Sequence, residues 1–375
     1  MDRKNKKKDI FEAIRIISNI LPGKIYLDKN TNSLSSGDYL GKNFITKINI
    51  PEYNQSSMDG IGISKISKKY KIVGKTELTQ LNKKILKKEE CLIVKTGSFI
   101  NNSIKKIVPI EDLLKDGDLF VQKIVTKNSF IRKKGHVVKA NSIIFKKGHK
   151  LTNKDIQFVE SFNNYTMTII KPLSFTLIGT GDEFFKKNGP KATNIKYLKN
   201  FLHNNNQVVE KSIIIKDDQK KLEELIKKSK SNIIIVTGGT GKSDDDFNFD
   251  YKKLVLDGLD LKPGKPLKVM KIKNKVILYF PGNPCSNFVL TNIMLKGLLN
   301  KYYTNTEMLL DNLKEDLIFP FKKLKRKSFL FAKLEKNKIK IFKDQESSNI
   351  FNIINSNMLI YYNKTKNLKC INIDD

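Results

Sequence analysis

The chain has 375 residues, of which 39% are hydrophobic and 29% charged, so it can bury a sizeable core and is not disordered throughout. At roughly 100–200 residues per domain, this length predicts two to four domains. No apolar run reaches the roughly 18 residues that a membrane span requires, and the basic, early amphipathic N-terminus predicts no secretory signal. Three cysteines far apart in sequence exclude a disulfide scaffold and a CxxC metal motif, and they predict a cytoplasmic protein.

The net charge is strongly positive. Lys+Arg total 71 against 38 Asp+Glu, which gives +33 and would ordinarily suggest a nucleic-acid partner. Only four of the basic residues are arginine, however, and proteins that read nucleic acids depend on arginine for bidentate contacts. The lysines are spread along the chain, and Lys, Asn and Ile are abundant together, as an AT-rich genome encodes. We therefore favour codon bias, expect no specific nucleic-acid partner, and keep a selected polyanion-binding surface as the alternative.

The first half of the chain changes from helical to strand patterns and back. Residues 9–21 place apolar side chains three and four apart, which predicts an amphipathic helix ended by a Pro-Gly pair. Residues 45–135 hold short apolar runs ended by Gly, Asn, Asp or Pro, and they predict a β-rich module. Residues 151–164 return to helical spacing, with a Thr-Asn pair that supplies the N-cap.

From about residue 172 apolar strands alternate with amphipathic helices, a pattern typical of a doubly wound parallel sheet with helices on both faces. The last 60 residues contain short alternating runs and predict a small all-β domain. The fold class is therefore multidomain, α/β plus β. The predicted boundaries are 1–45 with 140–171 for a helical linker domain, 46–139 for the β-rich module, 172–315 for the α/β domain and 316–375 for the small β domain.

Three glycine-rich turns follow apolar strands of the α/β domain, at 179–183, 237–241 and 281–284. In an open parallel sheet, ligands bind at the carboxyl ends of the strands, where glycines let the backbone approach an anion. Together the turns favour a phosphate-bearing ligand. The segment 238–243 ends in Gly-Lys-Ser, but the first glycine of a P-loop would fall at Ile235, so the chain is not a P-loop NTPase.

Five segments, in this order, resemble motifs of the molybdopterin molybdenumtransferases, whose eukaryotic counterpart is the E domain of gephyrin. They are SSMDG at 56–60 (family SAMDG), KTG at 95–97 (family TG), TGDE at 180–183, KPGKP at 262–266 and PGNP at 281–284. The last two lie close together and SxMDG lies far upstream, an arrangement that is specific in combination. The resemblance extends over nearly the whole chain, including the order of its modules.

The resemblance implies a transferase that inserts molybdate into adenylylated molybdopterin and releases AMP, the last step of molybdenum cofactor biosynthesis, with Mg²⁺ as cofactor. It implies a homodimer that uses the helical linker domain for dimerisation, with the active cleft between the α/β domain of one subunit and the β module of the other. It also implies a molybdopterin-binding-like α/β domain and a small C-terminal β-barrel. Its partners would be molybdopterin adenylyltransferase and the molybdoenzymes that accept the cofactor.

The resemblance also implies site residues, carried over by motif match. The acidic residues expected in catalysis are Asp59, Glu183, Asp246 and Asp217. The same resemblance makes the first three of them metal ligands, because carboxylates hold divalent cations. The residues expected to contact or shape the anionic substrates are Thr96, Arg132, Gly238, Gly239, Lys262, Lys265, Pro281, Pro284 and Ser348. Each also has an ordinary alternative, such as a turn cap for Asp59 or a surface ion pair for Arg132.

Departures from the family pattern keep two other functions open. Val137 stands where the family has an Asp, and Ala192 stands where it has an acid before Thr-Asn. The turn after Gly238-Gly239 resembles that of the molybdopterin adenylyltransferases instead. The alternatives are therefore adenylyl transfer to molybdopterin, or an eroded, non-catalytic scaffold that binds the cofactor.

Overall fold

A computed structural model describes residues 7–161, 165–240, 247–250, 253–313, 324–336, 338–364 and 368–373. It divides the chain into two compact units. The larger unit comprises Met1–Lys42 and Lys147–Asp375, and the smaller unit comprises Asn43–Lys146. Within the described residues, no helix is both long and apolar enough to cross a membrane.

The larger unit begins with the predicted amphipathic helix. Helix α1 spans Ile10–Ser18, and the side chain of Asp9 caps it by accepting from the backbone N–H of Phe11 (2.9 Å). Its apolar face, including Ile10 and Ile17, is buried in the main core of this unit. Two short strands follow, β1 at Tyr26–Asn30 and β2 at Tyr39–Leu40.

The smaller unit consists almost entirely of strands, as its short apolar runs predict. Its strands are β3 Phe44–Ile45, β4 Gln55–Ser56, β5 Gly60–Ile63, β6 Lys69–Lys75, β7 Glu90–Val94, β8 Lys106–Pro109, β9 Leu113–Asp116, β10 Leu119–Gln122, β11 Ile131–Arg132 and β12 Ile143–Phe145. Six form one sheet in the order β8-β5-β7-β6-β10-β9, and β11 pairs with β4 and β12 with β3. The predicted module boundaries, 46–139, lie inside this unit and stay a prediction.

The chain then returns to the larger unit. Helix α2 begins after a capping box in which Thr152 and Asp155 bond each other's backbone, as the Thr-Asn signal predicts. The elements are α2 Asn153–Glu160, β13 Thr166–Ile170, β14 Ser174–Thr180, α3 Thr193–Asn204, β15 Val208–Ile215, α4 Gln219–Lys228, β16 Ile233–Thr237, β17 Leu254–Asp257, β18 Lys268–Ile272, β19 Lys275–Phe280, α5 Pro284–Val289, α6 Lys296–Thr304, β20 Asp311–Asn312, β21 Ser328–Glu335, β22 Lys338–Ile341, α7 Phe351–Asn355, β23 Met358–Tyr362 and β24 Lys369–Asn372. A π-helix, Leu290–Leu295, joins α5 to α6, and β13 pairs with β1 and β2.

The α/β sheet has the order β15-β14-β16-β19-β18-β17, and the first four strands are parallel. Alternate residues of β16 face opposite cores: Ile233 and Ile235 pack on the side of α3 and α5, and Ile234 and Val236 on the side of α4. Helices therefore cover both faces, as the doubly wound prediction requires.

The prediction of a parallel sheet is wrong at one edge. Strand β18 runs antiparallel to both of its neighbours, β19 and β17, so the sheet is mixed. The physical reason is the connection between β18 and β19, which is only Lys273-Asn274 and has a positive φ at Lys273. Two residues can close a hairpin, whereas a parallel crossover needs about a dozen.

The C-terminal strands form an antiparallel sheet in the order β20-β24-β23-β21-β22. The predicted small β structure is therefore present. Across the residues described, β20 and β22 are the outer strands of this sheet, and the barrel that the resemblance implies stays a prediction.

Candidate functional site

The carboxyl ends of β14, β16 and β19 lie side by side, and the three predicted turns leave the sheet there. Gly238, directly after β16, has φ +107°, and a Cβ at this position would lie 2.6 Å from both the carbonyl oxygen and Oγ1 of Thr180 at the end of β14. The N–H of Gly238 donates to the carbonyl of Phe280, the last residue of β19 (3.2 Å). The backbones of Gly238 and Thr180 approach so closely that only glycine fits at position 238. A turn without side chains at this edge of the sheet also lets a ligand approach the backbone closely.

The turn continues through Gly239, which also requires glycine. Its φ is +61°, and a Cβ there would be 2.5 Å from the ring of Phe247. The predicted site residue Asp246, just before that phenylalanine, lies outside the described residues, so its role as an acid and metal ligand stays a prediction.

Lys268 is a residue that the motif comparison missed. It lies on β18 and is 7% exposed, and its Nζ reaches the carbonyl oxygen of Thr240 (3.4 Å) at the end of the glycine turn. The same Nζ is 3.5 Å from Oδ1 of Asp257 and 5.1 Å from the ring centroid of Phe249. A lysine between two buried apolar residues, Leu267 and Val269, was the signal in the sequence. The sheet edge thus holds a buried cation beside a predicted anion site.

Two acidic segments meet at this edge. The N–H of Asp182 donates to Oδ2 of Asp217 (3.2 Å), and the N–H of Asp217 donates to Oδ1 of Asp182 (3.2 Å). Burial, reinforced by the negative charges of Glu183 and Asp182, raises the pKa of Asp217 above its ordinary value. The Glu183 carboxylate lies over Gly181, where a Cβ would be 2.5 Å from both of its oxygens. The structure therefore brings Glu183 and Asp217 together.

The PGNP turn is held from two sides. Asn283 caps α5 by accepting from the N–H of Ser286 (3.0 Å), and Pro284 is the first helical residue. Asn194 of α3 donates to the carbonyl of Gly282 (2.8 Å). Pro281 is buried at the strand end. The turn therefore presents a fixed helix start to the sheet edge, a geometry suited to an anion.

Ser348 lies near the same turn. Asn283 Nδ2 donates to the carbonyl of Ser347 (2.9 Å), and Ser348 itself is exposed and accepts from the N–H of Ile350 (3.1 Å). The bond from Asn283 joins the loop of Ser348 to the PGNP turn.

The two lysines of the KPGKP turn differ in their exposure. The N–H of Lys262 donates to the carbonyl of Lys327 (2.9 Å), while its side chain is exposed. Hydrogen bonds from Glu346 and Asn349, together with the charge of Lys262, lower the pKa of Asp344. Lys262 is thus electrostatically coupled to the loop that contains Ser348, and Lys265 is half-buried on the other side of the turn.

In the smaller unit, two predicted residues contact each other. Oδ1 of Asp59 accepts from the N–H (2.6 Å) and from the hydroxyl (2.8 Å) of Thr96. These bonds hold the pKa of Asp59 below its ordinary value, so the carboxylate is ionised at neutral pH. Oδ1 of Asp59 is therefore bonded to Thr96 of a distant segment, whereas Oδ2 takes no part in these two bonds, and the catalytic and metal-binding roles of Asp59 stay predictions.

Arg132 belongs to the same group of segments. It pairs with Gln55 in the β4–β11 ladder, and Ser56 of β4 accepts from the N–H of Gly97 (2.8 Å). The strand β4 therefore lies between the Arg132 segment and the Thr96 turn. Asp59, Thr96 and Arg132 belong to the smaller unit, and the remaining site residues belong to the larger one.

The donor chemistry fits a magnesium ion that is shared with substrate. Among the described residues, no three His, Cys, Asp or Glu side chains form a metal-binding group by themselves. Mg²⁺ usually takes one or two carboxylates and fills its remaining positions with phosphates and water. Glu183 and Asp217 supply such a pair at the sheet edge.

Two family models match the chain in sequence. One is the MoeA N-terminal region (domain I and II), over residues 8–162, and the other is a probable molybdopterin binding domain, over residues 176–301. No curated protein matches the chain.

Solved structures match the fold over nearly the full length. A molybdopterin biosynthesis moeA protein from Pyrococcus horikoshii has a TM-score of 0.77 at 18% identity, covering 98% of this chain and 100% of the other. A second structure of a moeA protein from that organism gives 0.74 at 16% identity, with 98% and 97% covered. A molybdenum cofactor biosynthesis protein from Pyrococcus furiosus gives 0.56 at 11%, with 98% and 97% covered. At these identities the likeness establishes the multidomain α/β fold.

A doubly wound domain with glycine and proline turns at its strand ends, matched by the model of a probable molybdopterin binding domain, defines the class: a protein of the MoeA type. The two models cover most of the chain in the family's order. The chain belongs to the molybdopterin molybdenumtransferase family, as its five motifs predict. Its place is accordingly in molybdenum cofactor biosynthesis.

Proposed function

We propose that this protein is a molybdopterin molybdenumtransferase, which inserts molybdate into adenylylated molybdopterin and releases AMP. The observation that carries the proposal is the gathering of the Gly238 turn, the PGNP helix start and the Glu183–Asp217 acids at one sheet edge. An edge with both anion-binding backbone and carboxylates suits a phosphate ligand bound with a divalent cation.

Different groups of site residues would bind the anions, hold the metal ion and supply an acidic side chain. Backbone N–H groups of the glycine turn and of the PGNP helix start would hold phosphate oxygens, and Lys262 and Lys265 would attract the anionic substrates. Glu183 and Asp217 would hold Mg²⁺, which would supply charge neutralisation on the phosphates. Asp59, ionised and oriented by Thr96, would act as a further acidic residue of the reaction.

The test is AMP release by the full chain with adenylylated molybdopterin, molybdate and Mg²⁺. We expect molybdate-dependent release in the wild type and none in Asp59→Asn, because the amide keeps the oxygen that accepts from Thr96 but removes the charge. Asp116→Asn, an exposed position on β9 of the same unit, is the matched control and should release AMP at the wild-type rate. A wild-type rate in Asp59→Asn would remove that residue from the mechanism.

Two other results point to other functions. ATP consumption with metal-free molybdopterin, without the molybdate-dependent step, would indicate adenylyl transfer, which the Gly238-Gly239-Thr240 turn suggests. Pterin binding without turnover would indicate a cofactor-binding scaffold. Val137, which is 59% exposed where the family has a carboxylate, is the feature that favours this second candidate.

We also propose a homodimer that acts in the cytoplasm between a molybdopterin adenylyltransferase and cofactor-accepting molybdoenzymes. The family resemblance supports these proposals. Light scattering on the purified chain tests the dimer: a mass of one chain at micromolar concentration would contradict it.

A further inference from the structure

The smaller unit contains a cavity of about 680 Å³, and no predicted site residue lines it. The volume lies within the range of about 300–1,000 Å³ that is typical of ligand pockets. All the lining residues fall within 43–146, so the cavity is a feature of this unit alone. Its apolar and cationic lining side chains are Tyr53, Leu81, Lys83, Ile85, Ile100 and Lys134.

One wall of the cavity belongs to the crossover between the parallel strands β6 and β7. This crossover, residues 76–89, contains neither a helix nor a strand. The side chain of Asn101 holds it instead, because its Nδ2 donates to the carbonyls of Asn82 (2.6 Å) and Lys84 (2.8 Å). The wall is therefore fixed by bonds within the unit and does not depend on a ligand.

Tyr53 and Lys134 contribute to the cavity from two other segments. The ring of Tyr53 packs against that of Phe99, with 5.0 Å between the centroids, and remains partly exposed. Oδ1 of Asn54 accepts from the N–H of Lys134 (2.9 Å), and Nζ of this lysine lies 6.0 Å from the Tyr53 centroid. The cavity thus presents a positioned aromatic ring beside a cation, and exposed aromatic side chains are typical of protein interfaces.

The loop wall also exposes an isoleucine. Ile85 is 81% exposed, more than any other large apolar side chain in the smaller unit, all of which the structure describes. A single exposed apolar side chain is common, but this one lines a cavity together with Leu81 and Ile100. Apolar surface that is exposed around a concavity marks an interaction site.

The charge of the cavity is one-sided. Lys83 and Lys134 both line it and are exposed, and no carboxylate is among its lining residues. Within the part of the chain that the structure describes, neither lysine forms an ion pair with a carboxylate. Uncompensated cations at the edge of an apolar surface favour a partner with the opposite charge.

We propose that this cavity is the docking site for an acidic segment of a partner protein. A bulky apolar side chain of the segment fills the cavity beside Tyr53 and Ile85, and its flanking carboxylates face Lys83 and Lys134. A side chain as exposed as Ile85 is covered only by a ligand that extends past the cavity, which favours a polypeptide over a small molecule. The net charge of +33 opposes a second copy of this chain as the occupant. The inference goes beyond the proposed function, because it concerns recruitment of another protein and not the reaction.

Fluorescence anisotropy with the full chain and three labelled synthetic peptides tests the proposal at physiological ionic strength. The first peptide has a central phenylalanine between runs of glutamate, the second has alanine in place of the phenylalanine, and the third has lysine in place of the glutamates. We expect saturable binding of the first peptide only. Ile85→Asp, and separately Lys83→Glu combined with Lys134→Glu, should each weaken it about tenfold or more, which corresponds to about 1.4 kcal/mol.

Each cavity variant has a matched control in the same unit. Val125→Asp changes another exposed apolar residue (63% exposed) outside the cavity, and Lys115→Glu combined with Lys127→Glu makes the same change in net charge at exposed lysines that do not line it. Both controls should bind the first peptide like the wild type.

Three results would overturn the proposal: no binding of the first peptide by the wild type, equal binding of the alanine peptide, or equal weakening by the controls. Light scattering distinguishes the remaining occupant. If Ile85→Asp converts a dimer into single chains, a second copy covers the cavity and the partner segment is refuted.

Discussion

Gly238→Ala tests whether the sheet edge is built as closely as the structure indicates. At φ +107° an L-residue costs about 1–2 kcal/mol relative to glycine. The new Cβ would also lie 2.6 Å from the carbonyl oxygen and Oγ1 of Thr180, which is 3% exposed at a strand end and has little room to move. Forcing an extra carbon into a packed site costs about 1–3 kcal/mol. We therefore expect a loss of about 2–5 kcal/mol in the free energy of unfolding.

Gly282→Ala provides the matched control in the neighbouring turn. Gly282 is exposed, has no positive φ, and a Cβ there would meet only Gly238, at 3.5 Å. Urea unfolding followed by circular dichroism should place this variant within about 0.5 kcal/mol of the wild type. If Gly238→Ala also unfolds within that margin, the close packing of the strand ends is wrong, and the argument for an anion site there falls with it.

Three further predictions concern stability. Asp9→Asn should lower the free energy of unfolding by about 1–3 kcal/mol near neutral pH, because the ionised carboxylate accepts from Lys327 and Tyr361. The folded-state pKa of Asp9 lies below the unfolded value, so its contribution is present above the unfolded pKa and is lost as pH falls through the folded pKa. Urea titrations at several pH values should show the difference between variant and wild type shrinking in acid, and a constant difference would contradict the assignment. Ala192→Asp should stabilise the protein by about 1 kcal/mol and so raise its melting temperature. The reason is that Ala192 is the N-cap of α3 and makes no side-chain cap bond. An unchanged melting temperature would refute this. Val137→Asp should leave the free energy of unfolding within about 0.5 kcal/mol of the wild type, since Val137 is 59% exposed. The same variant should raise AMP release or leave it unchanged. A fall in AMP release would show that the carboxylate is incompatible with this site.

Hydrophobic periodicity predicted the helices and strands that bury one face or both faces. Helix α1 and strand β16 are examples, because burial on a fixed face leaves a pattern in the sequence. Strand β18 was missed because Lys268 and Lys271 interrupt its apolar run, and strand β17 because only Leu256 of its four residues is buried. The direction of β18 depends on the two-residue turn to β19, and no hydrophobic pattern records the direction of a strand.

For the site, the sequence predicted several residues but not the contacts between them. Motifs located Asp59 and Thr96 without indicating that the two bond each other, because they lie 37 residues apart. The pairing of Asp182 with Asp217 likewise depends on which strands become neighbours in the sheet. Lys268 belongs to no motif, and its position between Leu267 and Val269 is the sequence signal for its burial at the end of the glycine turn.

The departure at Ala192 bears more on stability than on the geometry of the site. Loss of an acid there leaves the first turn of α3 without a side-chain cap. Yet Asn194, two residues on, still donates to the carbonyl of Gly282 and so still holds the PGNP turn (2.8 Å). An uncapped helix costs about 1 kcal/mol wherever it occurs, whereas a displaced turn would move the anion site itself. Because the bond to the turn is kept, we expect the departure to lower the free energy of unfolding and to leave anion binding intact.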